Sequence, residues 1–264
     1  MNEVLLSVIS TTLLVLLVFA GAIILFFHSG RQRMKKQMEV DLKEQEKTII
    51  AQEKQKYEDL LLNILPYEVA QELKEKGKSE AKHYEKVTVM FTDFKGFTKI
   101  AEQMSAEQLV REIDYCFSAF DRIIQKYGVE KIKTIGDSYM CAGGLPVKND
   151  TNPIDAVKAA LEIRDFMETE KQKRVTDGKP FFEIRIGLHS GPIVAGIVGI
   201  KKFAYDIWGD TVNIASRMES SGEVGKVNIS GSTYELIKDS FTSTYRGKIE
   251  AKNKGEVDMY FVEL

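Results

Sequence analysis

Residues 86–98 have the sequence KVTVMFTDFKGFT, in which alternating, β-branched residues lead directly into an acidic, glycine-containing segment. Such alternation is typical of a β-strand. A helix start follows, marked by Ser105 with Gln108 three residues later, a pattern that forms a capping box. Apolar residues then recur at helical spacing as far as Gly128, at Leu109, Ile113, Phe117, Phe120 and Ile124. We therefore predict a strand followed by a helix that packs against it.

The segments that follow continue this mixed order. Residues 129–135 and 138–142 predict two strands that meet in a hairpin turn at Gly136-Asp137. Next come a helix from Asn152-Pro153 to about 173, strands at 181–189 and 192–198, a helix at 211–219, a strand at 227–230, and two strands ending near 245 and 261. This order predicts an α/β (α+β) fold with a ferredoxin-like βαββαβ core and additions at its C-terminal end.

The N-terminal region has a different composition. Residues 4–27 contain no Asp, Glu, Lys or Arg, and at about 1.5 Å per residue a helix of this length crosses a hydrocarbon core of about 30 Å. The acidic start and the long apolar run distinguish it from a cleaved signal peptide. We predict a transmembrane anchor over residues 1–30. The basic residues that follow place the rest of the chain on the cytoplasmic side of the cell membrane, namely Arg31, Arg33, Lys35 and Lys36.

A charged linker separates this anchor from the mixed α/β region. Residues 31–65 lack Gly and Pro and are rich in Lys, Glu and Gln, which predicts a helical stalk. Its sparse apolar positions are compatible with a parallel coiled coil, and a single solvated helix is the alternative because Lys56 interrupts the heptad. Residues 66–83 predict a linker helix that ends at Gly77, and residues 84–264 form the predicted globular domain.

Composition excludes several classes of function. The chain of 264 residues has a formal net charge of −2 and a pI of about 6.1, so no basic excess indicates a nucleic-acid partner. Its two cysteines, Cys116 and Cys141, cannot form a disulfide scaffold and have no neighbours at the spacing of a zinc site. Walker A, dinucleotide-binding and nucleophile-elbow motifs are absent from the sequence.

Two carboxylates are candidates for a metal site. Asp93 ends the first strand of the globular domain, and Asp137 occupies the hairpin turn. In the predicted fold these strands are neighbours, so both side chains would lie at one edge, as hard cations such as Mg²⁺ require. The alternative is ordinary turn and capping chemistry, in which Asp is common for conformational reasons.

Other polar residues are open to two interpretations. Asn213 and Arg217 are four apart on one predicted helix, so they would contact a ribose and a phosphate together or form a solvated surface pair. Lys133 lies in a strand among apolar residues, where it either binds a ligand or extends its ammonium to the strand edge. His189 stands alone at a strand end, where a structural role is the more common one.

Five motifs resemble those of the class III nucleotidyl cyclase family, and the resemblance covers roughly residues 60–264. They are FTDFKGFT at 91–98, KIKTIGDSYM at 131–140, RIGLHSGP at 185–192, YDIWGDTVNIASRM at 205–218, and KNKG at 252–255 ahead of Tyr260-Phe261. The resemblance implies that Asp93 and Asp137, with the carbonyl of Phe94, hold two divalent metal ions, Mg²⁺ or Mn²⁺. Phe94 stands where the family usually has Ile.

The resemblance also assigns the nucleotide contacts. Lys133 and Asp206 would recognise the purine, and they favour adenine because guanylyl cyclases of the family typically have Glu and Cys at these positions. Asn213 would orient the ribose, and Arg217 would stabilise charge on the α-phosphate. The triphosphate would be bound by Lys252 and Lys254, although Asn253 replaces the usual Gly between them.

The implied activity is that of a membrane-anchored adenylate cyclase, which converts ATP to 3′,5′-cyclic AMP and pyrophosphate by two-metal-ion catalysis. In the family, metal-binding and base-recognising residues come from opposite subunits, so the resemblance implies a homodimer with two active sites at its interface. The alternatives are a guanylate cyclase and a catalytically inactive cyclase-like module that serves dimerisation or nucleotide sensing.

Overall fold

The computed structural model describes residues 2–199, 204–251 and 255–263. Its chain divides into two compact units, Met1–Asn63 and Ile64–Leu264.

The first unit is a single helix, α1 (Asn2–Leu62), of 61 residues. Its apolar side chains are exposed, with Leu25 at 70% and Phe26 at 75%. The Thr11 and Thr12 hydroxyls donate to main-chain carbonyls of the preceding turn at 2.9–3.0 Å, so these polar side chains are satisfied within the helix. Among the described residues, α1 is the one helix that is long and apolar enough to cross a membrane. It continues without a break through residue 30, where we predicted the change from anchor to stalk.

The second unit contains six helices and eight strands over its described residues. In chain order they are α2 (Tyr67–Lys76), β1 (Lys82–Lys95), α3 (Phe97–Ala101), α4 (Ala106–Lys126), β2 (Glu130–Ile135), β3 (Ser138–Gly143), α5 (Asn152–Thr176), β4 (Glu183–Val198), β5 (Ala204–Trp208), α6 (Asp210–Ser220), β6 (Val227–Ser230), α7 (Gly231–Ile237), β7 (Thr242–Ala251) and β8 (Gly255–Glu263).

The strands form one sheet in the order β2-β3-β1-β4-β6-β8-β7, with β5 paired to β4. The four neighbours β2, β3, β1 and β4 pair antiparallel, and together with α4 and α5 they form the predicted βαββαβ core. This confirms the ferredoxin-like fold class. The later strands extend the sheet beyond β4, as the predicted C-terminal additions.

Helices cover both faces of the sheet. Ile184, Ile186 and Leu188 of β4 belong to the main core together with buried residues of α4, α5 and α7. Because side chains alternate along a strand, the Arg185 side chain points to the opposite face, and a side chain at position 187 would do the same. That face carries α6, whose backbone lies against Gly187.

Local sequence signals explain most of the element boundaries. The capping box at the start of α4 is confirmed, since the Gln108 amide donates to the Ser105 hydroxyl at 3.2 Å and the Ser105 amide donates to Gln108 Oε1 at 2.9 Å. The hairpin turn at Gly136-Asp137 is also confirmed, with Gly136 at a φ of +63°. At the end of α2, Gly77 adopts a φ of +69° and its amide donates to the Leu73 carbonyl, as a helix C-cap does.

The secondary structure differs from the prediction at β4, and three elements were not predicted, namely α3, β5 and α7. The strands at 181–189 and 192–198 are one continuous strand, β4, because a register shift in β1 between Tyr84 and Val87 lies opposite Gly191 to Ile193 and accommodates Pro192. The helix α7 was missed. It begins after Ser230, whose hydroxyl accepts the Thr233 amide hydrogen at 3.3 Å.

Candidate active site

The two candidate metal ligands lie at one edge of the sheet. Asp93 is near the end of β1, and Asp137 is in the β2–β3 turn. β1 and β3 stay paired up to Thr92 and Tyr139, which brings the turn beside the end of β1. Burial raises the pKa of Asp137, and the negative charge of nearby Asp93 raises it further. Two carboxylates held this close repel one another, and a bound cation would relieve that repulsion.

This pair fits a hard cation of the Mg²⁺ or Mn²⁺ type. The Asp93 side chain is 23% exposed, so it remains accessible from solvent. Over the described ranges of the chain, no three His, Cys, Asp or Glu side chains converge as metal ligands. Mg²⁺ is commonly bound by two aspartates, and its remaining coordination positions are taken by backbone oxygen, water or substrate phosphate.

Phe94 divides its functions between side chain and backbone. Its ring is 2% exposed and stacks on Phe182 at 4.7 Å and on Phe117 at 6.0 Å. The Phe94 side chain, which stands where the family usually has Ile, therefore belongs to the core. Its backbone N–H bonds the Asp137 carboxylate and opposes the rise in the pKa of that group. The predicted role of its carbonyl as a metal ligand stays a prediction.

Two further residues reach this edge that the sequence did not assign to the site. Arg185 lies directly opposite Asp93 in the β1–β4 pairing, and its Nη2 donates to Asp93 Oδ2 at 2.7 Å. Its Nε lies 2.9 Å from Oε1 of Glu219, a residue of α6. Burial raises the pKa of Glu219 to about 7 against the opposing attraction of Arg185. A charged residue inside the apolar strand at 184–188 was the available signal for Arg185, since such residues are rarely buried unpaired.

The helix α6 reaches this edge because of a glycine. A Cβ added to Gly187 would lie 1.9 Å from the backbone nitrogen of Glu219, so only glycine lets the helix pack directly on β4. Ile214 and Met218 are buried on the inner side of α6, whereas Asn213 is exposed and Arg217 half-buried.

Asn213 and Arg217 lie on one helix, as their spacing predicted. Arg217 Nη1 donates to the Glu250 carbonyl of β7 at 3.3 Å. This is a single, long hydrogen bond to a neutral acceptor. Arg217 would therefore lose little by moving to a charged acceptor such as a phosphate. The catalytic roles of Asn213 and Arg217 stay predictions.

Lys133 and Asp206 form an ion pair although 73 positions separate them in the chain. Lys133 Nζ donates to Asp206 Oδ2 at 2.5 Å, and the side chains are 41% and 19% exposed. Asp206 is placed by the pairing of β5 with β4 opposite Gly196. The Lys133 ammonium is thus held by a carboxylate, and its predicted role in binding a ligand stays a prediction. A donor and a carboxylate acceptor stand side by side, as recognition of a base edge requires.

His189 has the structural role that we predicted. It is 6% exposed, and Nδ1 lies 2.6 Å from the Ser230 hydroxyl. Burial lowers its pKa to about 4, so the ring is neutral at physiological pH. The predictions for Lys252 and Lys254 fall outside the described residues.

Comparison with known proteins gives consistent matches to one family. Residues 79–264 match the adenylate and guanylate cyclase catalytic domain. An adenylate cyclase of Mycobacterium tuberculosis is 39% identical over 215 residues, which are 81% of this chain and 48% of that protein. Human guanylyl cyclase C is 41% identical over 214 residues, 80% of this chain and 20% of that protein. The chain thus spans at most about half the length of these relatives.

Solved structures agree with these sequence matches. The adenylyl cyclase CyaB from P. aeruginosa is 32% identical with a TM-score of 0.66, and the match covers 70% of this chain and 97% of that one. Relatives named for adenylate and for guanylyl cyclase activity match at similar identity, so the choice of base depends on individual residues.

Proposed function

The chain belongs to the family of adenylate and guanylate cyclase catalytic domains, and from this we propose that it is an adenylate cyclase, which converts ATP to 3′,5′-cyclic AMP and pyrophosphate. The observation that carries the proposal is the Lys133–Asp206 pair at 2.5 Å. Membership of this family makes a nucleoside triphosphate the substrate class, and the Lys133–Asp206 pair selects the base.

The chemistry of the two side chains matches adenine. A lysine ammonium donates to the N1 acceptor of adenine, and an ionised aspartate accepts from its 6-amino group. Guanine presents a carbonyl and a ring N–H at this edge, so a carbonyl would face the carboxylate and an N–H would face the ammonium. Both hydrogen bonds would be lost and both polar groups left mispaired, which is the strongest basis for substrate discrimination.

Asp93 and Asp137 would hold two divalent cations, which when bound favour ionisation of the ribose 3′-hydroxyl and neutralise phosphate charge. The residues of α6 do the rest of the positioning. Asn213, exposed on its outer side, would hydrogen-bond the ribose and aim O3′ at the α-phosphorus. Arg217 would leave the Glu250 carbonyl and donate to the α-phosphate oxygens, where negative charge increases in the transition state.

The reaction needs no protein nucleophile. The bond from O3′ to the α-phosphorus forms while the bond from that phosphorus to the pyrophosphate oxygen breaks, and the hydroxyl proton passes to solvent. The fixed position of O3′ relative to the α-phosphorus and the stabilisation of negative charge on the α-phosphate account for the rate.

A second copy of the chain would complete the site. The strands that carry and flank Asp206 expose apolar side chains, with Val194 at 37%, Val198 at 65% and Trp208 at 40%. An apolar surface beside a half-exposed nucleotide contact suits an interface. We infer a homodimer with two sites, in which α1 anchors each copy to the cell membrane with the globular unit on the cytoplasmic side. Anchoring would raise the effective concentration of the two copies.

Product formation tests this proposal. The purified full chain, given ATP or GTP in turn with Mn²⁺, should form cyclic AMP much faster than cyclic GMP, and Asp93→Asn should abolish both. A preference for GTP would favour the guanylate cyclase alternative. A wild-type chain that forms neither product would favour the inactive module.

A further inference from the structure

We propose that Arg185 and Glu219 are positioning residues that set the orientation and net charge of Asp93 for divalent-cation binding. The inference rests on the proposed function, because it assumes that Asp93 binds the cation. The inference adds two residues to the proposed cation site, Arg185 from β4 and Glu219 from α6.

The geometry connects three elements through one guanidinium. Arg185 donates from Nη2 to Asp93 at 2.7 Å and lies 2.9 Å through Nε from Glu219. Nη1 is 3.5 Å from the Ser220 carbonyl at the end of α6. The side chains of Arg185, Asp93 and Glu219 are only 17%, 23% and 8% exposed. A planar guanidinium that donates to Asp93 and is ion-paired with Glu219 restricts the orientations open to the Asp93 carboxylate.

The backbone makes this contact difficult to avoid. Asp93 and Arg185 are direct cross-strand partners, so their side chains leave the sheet on the same face. The close packing of α6 on Gly187 brings the Glu219 backbone onto that face. Nε and Nη2 belong to one edge of the guanidinium, so Glu219 and Asp93 contact Arg185 along the same edge.

Charge gives the pair its function. A guanidinium bound to Asp93 alone would cancel its negative charge and compete with the incoming cation for Oδ2. Glu219 supplies a second carboxylate for the same guanidinium, so that the charge of Asp93 and Asp137 remains available to the cation. Outer partners of metal-binding groups commonly change metal affinity by about 10–100-fold.

The test is a Mn²⁺ titration of the detergent-solubilised full chain without nucleotide, followed by the EPR signal of free Mn²⁺. It is done at about pH 8, where Glu219 is ionised. Glu219→Gln keeps the shape of the side chain but removes its charge, and with it the ion pair to Arg185 Nε. We expect Mn²⁺ affinity to fall about tenfold. Arg185→Lys keeps the positive charge but loses the fork, and we expect a similar loss.

A matched control comes from the other face of the fold. Glu112 pairs with Arg174 between α4 and α5, with side chains 29% and 20% exposed. Glu112→Gln removes a comparable carboxylate from an arginine outside the site and should leave Mn²⁺ affinity unchanged. Thermal unfolding without Mn²⁺ identifies any variant that is not folded, and the remaining one of Glu219→Gln and Arg185→Lys then carries the test.

The outcomes separate this inference from the proposed function. Weaker Mn²⁺ binding in Asp93→Asn with unchanged binding in Glu219→Gln and Arg185→Lys would overturn the inference and leave the cation site in place. Unchanged binding in Asp93→Asn would overturn the cation role itself, and the inference with it. Equal losses in Glu219→Gln and Glu112→Gln would also contradict a specific role for Glu219.

Discussion

The close approach of α6 to β4 makes Gly187→Ala a sensitive probe of the site. The added Cβ would lie 1.9 Å from the Glu219 nitrogen, whereas ordinary contact begins at 3.4 Å. Helix and strand must therefore separate locally by about 1.5 Å. Overpacking of this kind costs about 1–3 kcal/mol of unfolding free energy. Asn213 and Arg217 lie on the displaced helix, and a misplacement of about 1 Å can reduce catalysis about 100-fold.

The assay measures cyclic AMP formation and urea unfolding on the same Gly187→Ala preparation. We expect kcat to fall by about two orders of magnitude while the protein stays folded. Gly231→Ala is the matched control, because its Cβ would meet the Asp258 side chain at 3.3 Å, away from α6. Activity within about twofold of wild type in Gly187→Ala would refute the reasoning that this contact positions α6.

Three further predictions concern single side chains. The pKa of His189 is about 4 in the folded chain against 6.5 ordinarily, so below about pH 6.5 the unfolded state binds the proton first and stability falls with pH. Between about pH 7 and about pH 5 the wild type should lose about 2 kcal/mol more than His189→Asn in urea unfolding, and equal losses would contradict this. Arg217→Lys keeps the charge without the planar fork, and kcat should fall about 100-fold with KM for ATP little changed, whereas a change confined to KM would argue against a transition-state role. Asp137→Asn should weaken Mn²⁺ binding at least about tenfold in the EPR titration, and an unchanged affinity would remove Asp137 from the site.

Local patterns were enough to predict the parts of the fold that depend on neighbouring residues. The capping box at Ser105 and the turn at Gly136-Asp137 involve residues within a few positions of one another, so their sequence determines their geometry. The single strand β4 was missed because Pro192 usually ends a strand. Pro192 is accommodated by the register shift in β1, which lies about a hundred positions away in the chain. No local sequence pattern shows that pairing.

The site divides in the same way. The helical spacing of Asn213 and Arg217 placed them on one helix without knowledge of the fold. Lys133 and Asp206 are 73 positions apart, and only the family resemblance joined them before the structure did. The contact of Glu219 with Arg185 depends on how closely α6 packs on Gly187, which is a tertiary property. That is why both residues went unassigned from the sequence.

The most direct test of adenine selection exchanges the two base-recognising residues. In the double variant Lys133→Glu with Asp206→Cys, donor and acceptor are replaced by the pair typical of guanylyl cyclases. The ratio of kcat/KM for ATP to that for GTP is measured for this variant and for the wild type. We predict that the wild type prefers ATP and that the ratio falls at least about 100-fold in the variant. An unchanged ratio, or a wild type that prefers GTP, would contradict the assignment of Lys133 and Asp206 to adenine.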